Sequence, residues 1–155
     1  MAVLALVGLF SYLRLVHIDR SLLFYGDVGR DFAILWKWQD TGIPPLLGPQ
    51  TSALPFNQTA VYFYILFPFF VLLKHSLFST VIAAWFYHVL VLIVGAVILY
   101  RQRYFDLLQI WLSVWLLIAI HPQVVQQHRY VWNPSFVGMF LLVSFVAYQM
   151  AKYFS

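Results

Sequence analysis

The chain contains no cysteine and no glutamate. The first absence excludes disulfides and cysteine-ligated zinc. The second leaves aspartate as the only acidic residue. Charge of either sign is scarce. Asp, Glu, Lys and Arg make up 9 % of the 155 residues, where an ordinary globular chain carries about a quarter. Apolar residues fill the space: 63 % of the chain is hydrophobic and 20 % aromatic. A soluble domain this small cannot bury two thirds of its residues, whereas a bilayer protein escapes that limit because lipid is its solvent. A water-soluble enzyme, a disordered tail and a secreted disulfide scaffold are set aside on these grounds. Nine basic residues face five acidic ones, for a net charge of +4. The basic residues are scattered and form no patch, so no nucleic acid partner is expected.

The apolar runs predict an all-α, polytopic membrane helix bundle of about four spans. These cover residues 1–18, 77–100, 105–121 and 135–151, with 19–76 as an external loop carrying interfacial helices. The first run lacks a charged leader region, and Arg14 and His17 stand where a signal peptide needs small residues, so it reads as a span. Asp19 to Thr59 holds four of the five acids and the punctuation Gly42-Ile43-Pro44-Pro45 and Gly48-Pro49. Within it, Asp31 to Gln39 predicts a short helix with Phe32, Leu35, Trp36 and Trp38 on its apolar face. Val61 to Lys74 is fourteen residues with Pro68 inside, short for a crossing. It reads as an interfacial or partly inserted helix, and a further crossing is the alternative.

Basic residues favour the cytoplasmic side. If Val61–Lys74 does not cross, Arg101, Arg103 and Lys152 fall inside, which supports the four-span version. Arg14, Arg20, Arg30, Lys37 and Arg129 then sit at or near the outer face, against the bias. An anionic ligand held there explains them. Pairing with Asp19, Asp27, Asp31 and Asp40, or snorkelling to headgroups, explains them equally.

Three constellations carry candidate chemistry. In Tyr25-Gly26-Asp27-Val28-Gly29-Arg30-Asp31, a helix would put Asp27 and Asp31 on one face. Two such carboxylates suit a divalent cation or a general base. The plain alternative is a turn with Asp27 capping the next helix. In the connection His121-Pro122 to His128-Arg129-Tyr130-Val131-Trp132-Asn133-Pro134-Ser135, polar groups between apolar helices are costly unless paired. They suit a phosphate or a sugar, and interfacial anchoring by Tyr130 and Trp132 is the alternative. The turn Gly48-Pro49-Gln50-Thr51-Ser52 offers hydroxyl donors to a ligand or is simply a loop. His88 reads as a satisfied intramembrane residue, and Tyr62, Phe63 and Tyr64 as packing.

Taken together, Phe24 to Asp31, Gly48 to Ser52, Tyr62-Phe63-Tyr64 with Pro68, and Arg129 with Trp132-Asn133-Pro134-Ser135 resemble the N-terminal region of bacterial membrane glycosyltransferases of the GT-C type. The nearest branch is the family-39-like, dolichyl-phosphate-mannose mannosyltransferase-related proteins. The resemblance covers almost the whole chain and about a third of such a protein. It implies a partial GT-C fold, a multi-pass protein of the bacterial plasma membrane, and a fragment inactive alone. It also implies transfer of a sugar from a polyprenyl-phosphate donor to a glycan, lipid or protein acceptor at the outer face, with inversion. Asp27 occupies the position of the family's base, with Asp31 beside it. Arg30, Arg129, His128, Asn133 and Thr51 are the substrate-binding candidates. The family's Asp-Glu pair has no counterpart here, so a divalent cation rests on Asp27 and Asp31 alone and no other cofactor is expected. Membrane lipid is a partner on either reading. The competing class is a non-catalytic membrane protein, a transporter subunit or assembly partner.

Overall fold

A computed structural model describes residues 1–21, 26–50, 56–131 and 133–154. Helices hold 79 % of the described residues, which places the chain in the all-α class. The order is α1 (Ala2–Leu15), α2 (Ile18–Ser21), α3 (Asp27–Thr41), a hairpin of β1 (Leu47–Gln50) and β2 (Asn57–Thr59), α4 (Val61–Leu72), α5 (Phe78–Arg101), α6 (Phe105–Ile120) and α7 (Pro122–Arg129). A 3-10 turn (Asn133–Phe136) then leads into α8 (Val137–Phe154). The antiparallel hairpin was not foreseen from sequence. The helix expected over residues 31–39 is longer at both ends. It starts at Asp27 and stops at Gly42, whose φ of +68° closes the helix in the left-handed region.

Two stretches are long and apolar enough to cross a bilayer, Ala2–Arg20 and Phe78–Arg101. A third qualifies if α6 and α7, bent by 69° at their junction, count as one. These helices mark a membrane protein. Their outward faces agree: Leu4, Val94, Val97, Ile110 and Leu117 are all exposed, which only an apolar solvent tolerates. Helix α4 has 12 residues, a rise of about 18 Å against a hydrocarbon core of about 30 Å. It lies among the shorter apolar helices, as does the described part of α8.

Side-chain contacts fix the helix directions. Phe10 of α1 packs on Trp115 of α6, and Arg14 reaches the carbonyls of Ile118 and Ala119, so α1 and α6 run together. Helix α5 runs against them: Trp85 donates to Ser11, and the Trp111 indole donates to the Leu92 carbonyl. Helix α8 follows α5, with Phe136 beside His88 and Phe145 stacked on Trp111. One end of the bundle therefore gathers the last turn of α1, the first half of α5, the end of α6, α7 and the start of α8. We call it the charged end. Helix α4 packs on that half of α5 through Phe69, Phe86 and Tyr87. Helix α3 packs on α4, with Trp38 stacked on Phe67 at 3.7 Å and Phe32 edge-on to Phe70. Two apolar cores result. One joins α3, α4, the start of α5 and Phe136, and the other joins α1, α6 and the rest of α5.

Gly95 sets the closeness of α5 and α6. A Cβ placed there would overlap the Trp111 ring, whereas one at Gly8 of α1 would meet nothing within 4 Å. Overpacking a filled core costs about 1–3 kcal/mol. Gly95→Leu is therefore expected to lower the thermal midpoint in detergent, and Gly8→Ala to leave it unchanged or slightly raised. Equal midpoints for Gly95→Leu and the parent would show that the helices do not pack there.

Candidate functional site

The acidic site is built at the start of α3. Gly26 precedes the helix with φ +45°, a conformation that L side chains rarely adopt. Asp27 occupies the first turn, where the helix dipole favours an anion. Its carboxylate does not cap the helix. It accepts instead from Arg30 Nη1 at 2.7 Å. The same guanidinium turns its other edge to Asp31, giving Nε and Nη2 to Oδ1 at 3.1 and 2.9 Å. Arg30 thus supplies the positive charge between two carboxylates that a divalent cation would otherwise supply. The described residues contain no group of three or more His, Cys, Asp or Glu arranged for a metal. Exposure separates the two acids. The Asp27 side chain is 44 % exposed and can meet a ligand, while that of Asp31 is 1 % exposed.

Burial pushes the Asp31 carboxyl above the usual carboxylate range, although Arg30 and Tyr62 pull it down. The folded state therefore holds the proton to higher pH than the unfolded chain. Stability from this group is present at low pH and falls as pH rises from the ordinary carboxylate range through the raised value. Asp31→Asn, which cannot ionise, is expected to flatten the pH dependence of the unfolding midpoint across that window. An unchanged slope would rule out Asp31 as its source.

The second site lies at the charged end of the bundle and centres on Arg14. This side chain is fully buried. It has no carboxylate partner among the described residues. Its Nη1 and Nη2 donate to the carbonyls of Ala119 at 3.0 Å and Ile118 at 2.7 Å. Those are last-turn carbonyls of α6, which have no partner within their own helix. Its Nε donates to His128 Nδ1 at 2.8 Å, and its guanidinium carbon lies 3.6 Å from the Phe10 ring centre. Arg129 repays the arrangement. Its Nη2 donates to the carbonyls of Leu13 and Val16 at 2.9 and 2.8 Å, at the end of α1. Each arginine caps a helix other than its own, and together they bind α1, α6 and α7 into a clasp.

The clasp fixes two histidine tautomers. Arg14 Nε can only donate, so His128 Nδ1 is bare and its proton sits on Nε2. His88 Nδ1 meets the Ala84 carbonyl at 2.7 Å, which can only accept, so that nitrogen carries a proton. The two rings lie 4.2 Å apart. His88 is hydrogen-bonded within its helix, as expected, but it is part of a pair and not an isolated ring. Sequence alone left Arg14, His88 and Tyr62 out of the candidate site. For Arg14 a signal existed: an arginine closing a nearly unbroken apolar run must find partners.

The two sites are joined by one aromatic layer. The Tyr62 ring lies 5.8 Å from Phe136, and Phe136 lies 6.2 Å from His88. A hollow of about 520 Å³ beside the clasp is lined by Leu13, Ile120, Val125, Gln126, Arg129 and Tyr130, together with Pro122. Asp27 and Asp31 do not line it. The structure thus brings Asp27, Arg30 and Asp31 together, and separately His128 with Arg14. Thr51 and Trp132 lie outside the described residues, as does the side chain of Asn133. No family model, curated protein or solved structure matches this chain.

Proposed function

We propose that this chain is the N-terminal part of a GT-C type glycosyltransferase, with four spans and its charged end at the outer face of a bacterial plasma membrane. The reaction moves a sugar from a polyprenyl-phosphate donor to an acceptor hydroxyl. The acceptor oxygen bonds the anomeric carbon from the side opposite the phosphate, and its proton goes to Asp27. The sugar–phosphate bond breaks, and the polyprenyl phosphate leaves with the electron pair. Charge builds on the leaving phosphate as it departs, so cations near it lower the barrier. Asp31 and Arg30 orient the base. Arg129, backed by Arg14 and His128, is the cationic side.

The observation that carries this reading is the placement of an accessible carboxylate on α3 near the end of the bundle that also holds two arginines. The alternation of helix directions supports four spans, because α1 and α6 run opposite to α5 and α8. A second reading, a non-catalytic membrane protein, is favoured by one specific fact: the hollow beside Arg129 includes neither aspartate. The test uses liposomes containing the chain and a panel of radiolabelled undecaprenyl-phosphate hexoses. With the chain extended by a downstream reading frame, label is expected to move to a water or glycan acceptor at a rate above that of empty liposomes, while the chain alone leaves it on the donor. Release no faster than the empty control from that extended protein would favour the non-catalytic reading.

A further inference from the structure

The α5–α6 turn lies at the end of the bundle away from both candidate sites. There, Ile93, Ala96, Val97, Tyr100 and Arg101 of α5 line a hollow of about 300 Å³ that α1 and α6 complete. Spacing of three and four keeps these side chains on one stripe, which rises about 12 Å along the helix. The stripe is apolar until its last turn, where it ends in a cation. Ile93, Val97 and Tyr100 are exposed, so the hollow opens to the surrounding bilayer. The Tyr100 ring meets Phe105 of α6 edge-on at 6.1 Å, and tyrosines at helix ends mark the headgroup level. Two other hollows, between α5 and α8 and between α1 and α6, have no charged residue in their lining. Arg103 follows Arg101 closely, and both are exposed. Among the described residues neither forms an ion pair, and Asp106 in the first turn of α6 pairs with neither. The Tyr104 N–H donates to the Leu99 carbonyl at 3.0 Å and the Arg103 N–H to that of Tyr100 at 3.1 Å. This is a Schellman closure, whose left-handed residue is most often glycine. Here it is an arginine, with φ +58°. A helix C-terminus favours cations in any case, but that does not account for the apolar stripe leading up to them.

We propose that this hollow holds one anionic phospholipid of the leaflet at the α5–α6 turn: an acyl chain lies along the α5 stripe, and Arg101 and Arg103 hold the phosphate. The occupant has to match both halves of the site. A free phosphate would meet the arginines and leave the stripe uncovered. A zwitterionic lipid would cover the stripe, but its ammonium would offset the charge that draws the phosphate. The flat guanidinium fork suits phosphate because it offers paired N–H donors to paired oxygens. On the orientation proposed above, this is the cytoplasmic leaflet. The lipid site stands apart from both candidate sites, and neither sugar transfer nor its absence bears on it.

The test equilibrates the full chain in detergent micelles with equal amounts of phosphatidylglycerol and phosphatidylethanolamine of the same acyl chains. Bound lipid is counted by native mass spectrometry. One phosphatidylglycerol per chain is expected to bind about fivefold or more tightly than phosphatidylethanolamine, the effect of a single cation at an anionic lipid surface. Arg101→Gln combined with Arg103→Gln, both at exposed positions, is expected to bring the two lipids level. Val97→Trp fills the hollow and is expected to lose the bound phosphatidylglycerol. Val94→Trp, which fills the uncharged hollow between α5 and α8, is expected to keep it. Glycerol phosphate in solution is expected not to displace the lipid, because it has no acyl chain. Equal binding of the two lipids by the parent, or a preference that survives the double arginine substitution, would overturn the proposal. Parent-like binding by Val97→Trp would remove the stripe from the site and overturn it as well. Displacement by glycerol phosphate would make the arginines a site for soluble phosphate and overturn the lipid assignment.

Discussion

Replacing Arg14 by methionine is expected to loosen the charged end of the bundle and cost about 2–3 kcal/mol. The sign is decided by two opposed terms. Burying an arginine costs about 2.5–3.5 kcal/mol at the centre of a membrane helix by insertion measurements, and methionine relieves this. Arg14 stands in the last turn of α1, however, where that cost is smaller. Against the relief stand three acceptors that lose their donor, those on Ala119 and His128 in a buried place and that on Ile118 in a half-buried one. Stranding them costs about 1 kcal/mol or more each. Since native stabilities are about 5–15 kcal/mol, the loss is a large share.

Lysine at the same position is expected to do no better than methionine and to fall below it. It keeps the charge, yet its compact ammonium cannot span two carbonyls and a ring nitrogen as the flat guanidinium does. Arg20→Met is the control, since that side chain is 80 % exposed and its contact with Asp19 is 3.9 Å long. The measurement is thermal unfolding in detergent followed by tryptophan fluorescence, with Trp115 reporting from the edge of Phe10 and His88. A midpoint for Arg14→Met equal to that of Arg20→Met would mean that the clasp contributes nothing.

The other large effect concerns rate. On the proposed mechanism, Asp27→Asn removes the group that takes the acceptor's proton, and general-base catalysis is worth about 10²–10⁴-fold. Asparagine keeps the size and an acceptor for Arg30, so the fold and the start of α3 are expected to survive, and KM to change little. The liposome assay on the extended protein reads the rate, and the unfolding midpoint checks the fold. Asp31→Asn is expected to lower the rate less, because that carboxylate is shielded from solvent and acts by holding Arg30. Asp27→Asn turning over at the parent rate would remove Asp27 from the role of base.

Composition made the membrane class legible, because an apolar run of 24 residues in α5 has no other solvent to suit it. The acidic constellation was legible for a similar reason: spacing of three and four places Asp27, Arg30 and Asp31 on adjoining faces of any helix. The ends of the helices were less so. The apolar run expected to end at residue 121 does end there, at Ile120, but Pro122 also opens α7 at the first position, where its missing N–H is no loss. The hairpin was hidden because β1 carries Gly48 and Pro49, which strand preferences disfavour. The clasp lay beyond sequence reasoning. Arg14 and His128 are 114 positions apart, and no local pattern tells a guanidinium which distant carbonyls it will cap.

The central claim is that α3, with its acidic pair, and α7, with its arginine, face the same side of the membrane, with the α5–α6 turn on the other. The cysteine-free sequence makes this directly measurable. Single cysteines replace Lys37 of α3, Gln123 of α7 and Tyr104 before α6, all exposed, and intact cells are treated with a membrane-impermeant maleimide. Lys37→Cys and Gln123→Cys are expected to label together from outside, and Tyr104→Cys only after the membrane is opened. Labelling of Lys37→Cys and Gln123→Cys from opposite sides would contradict the account.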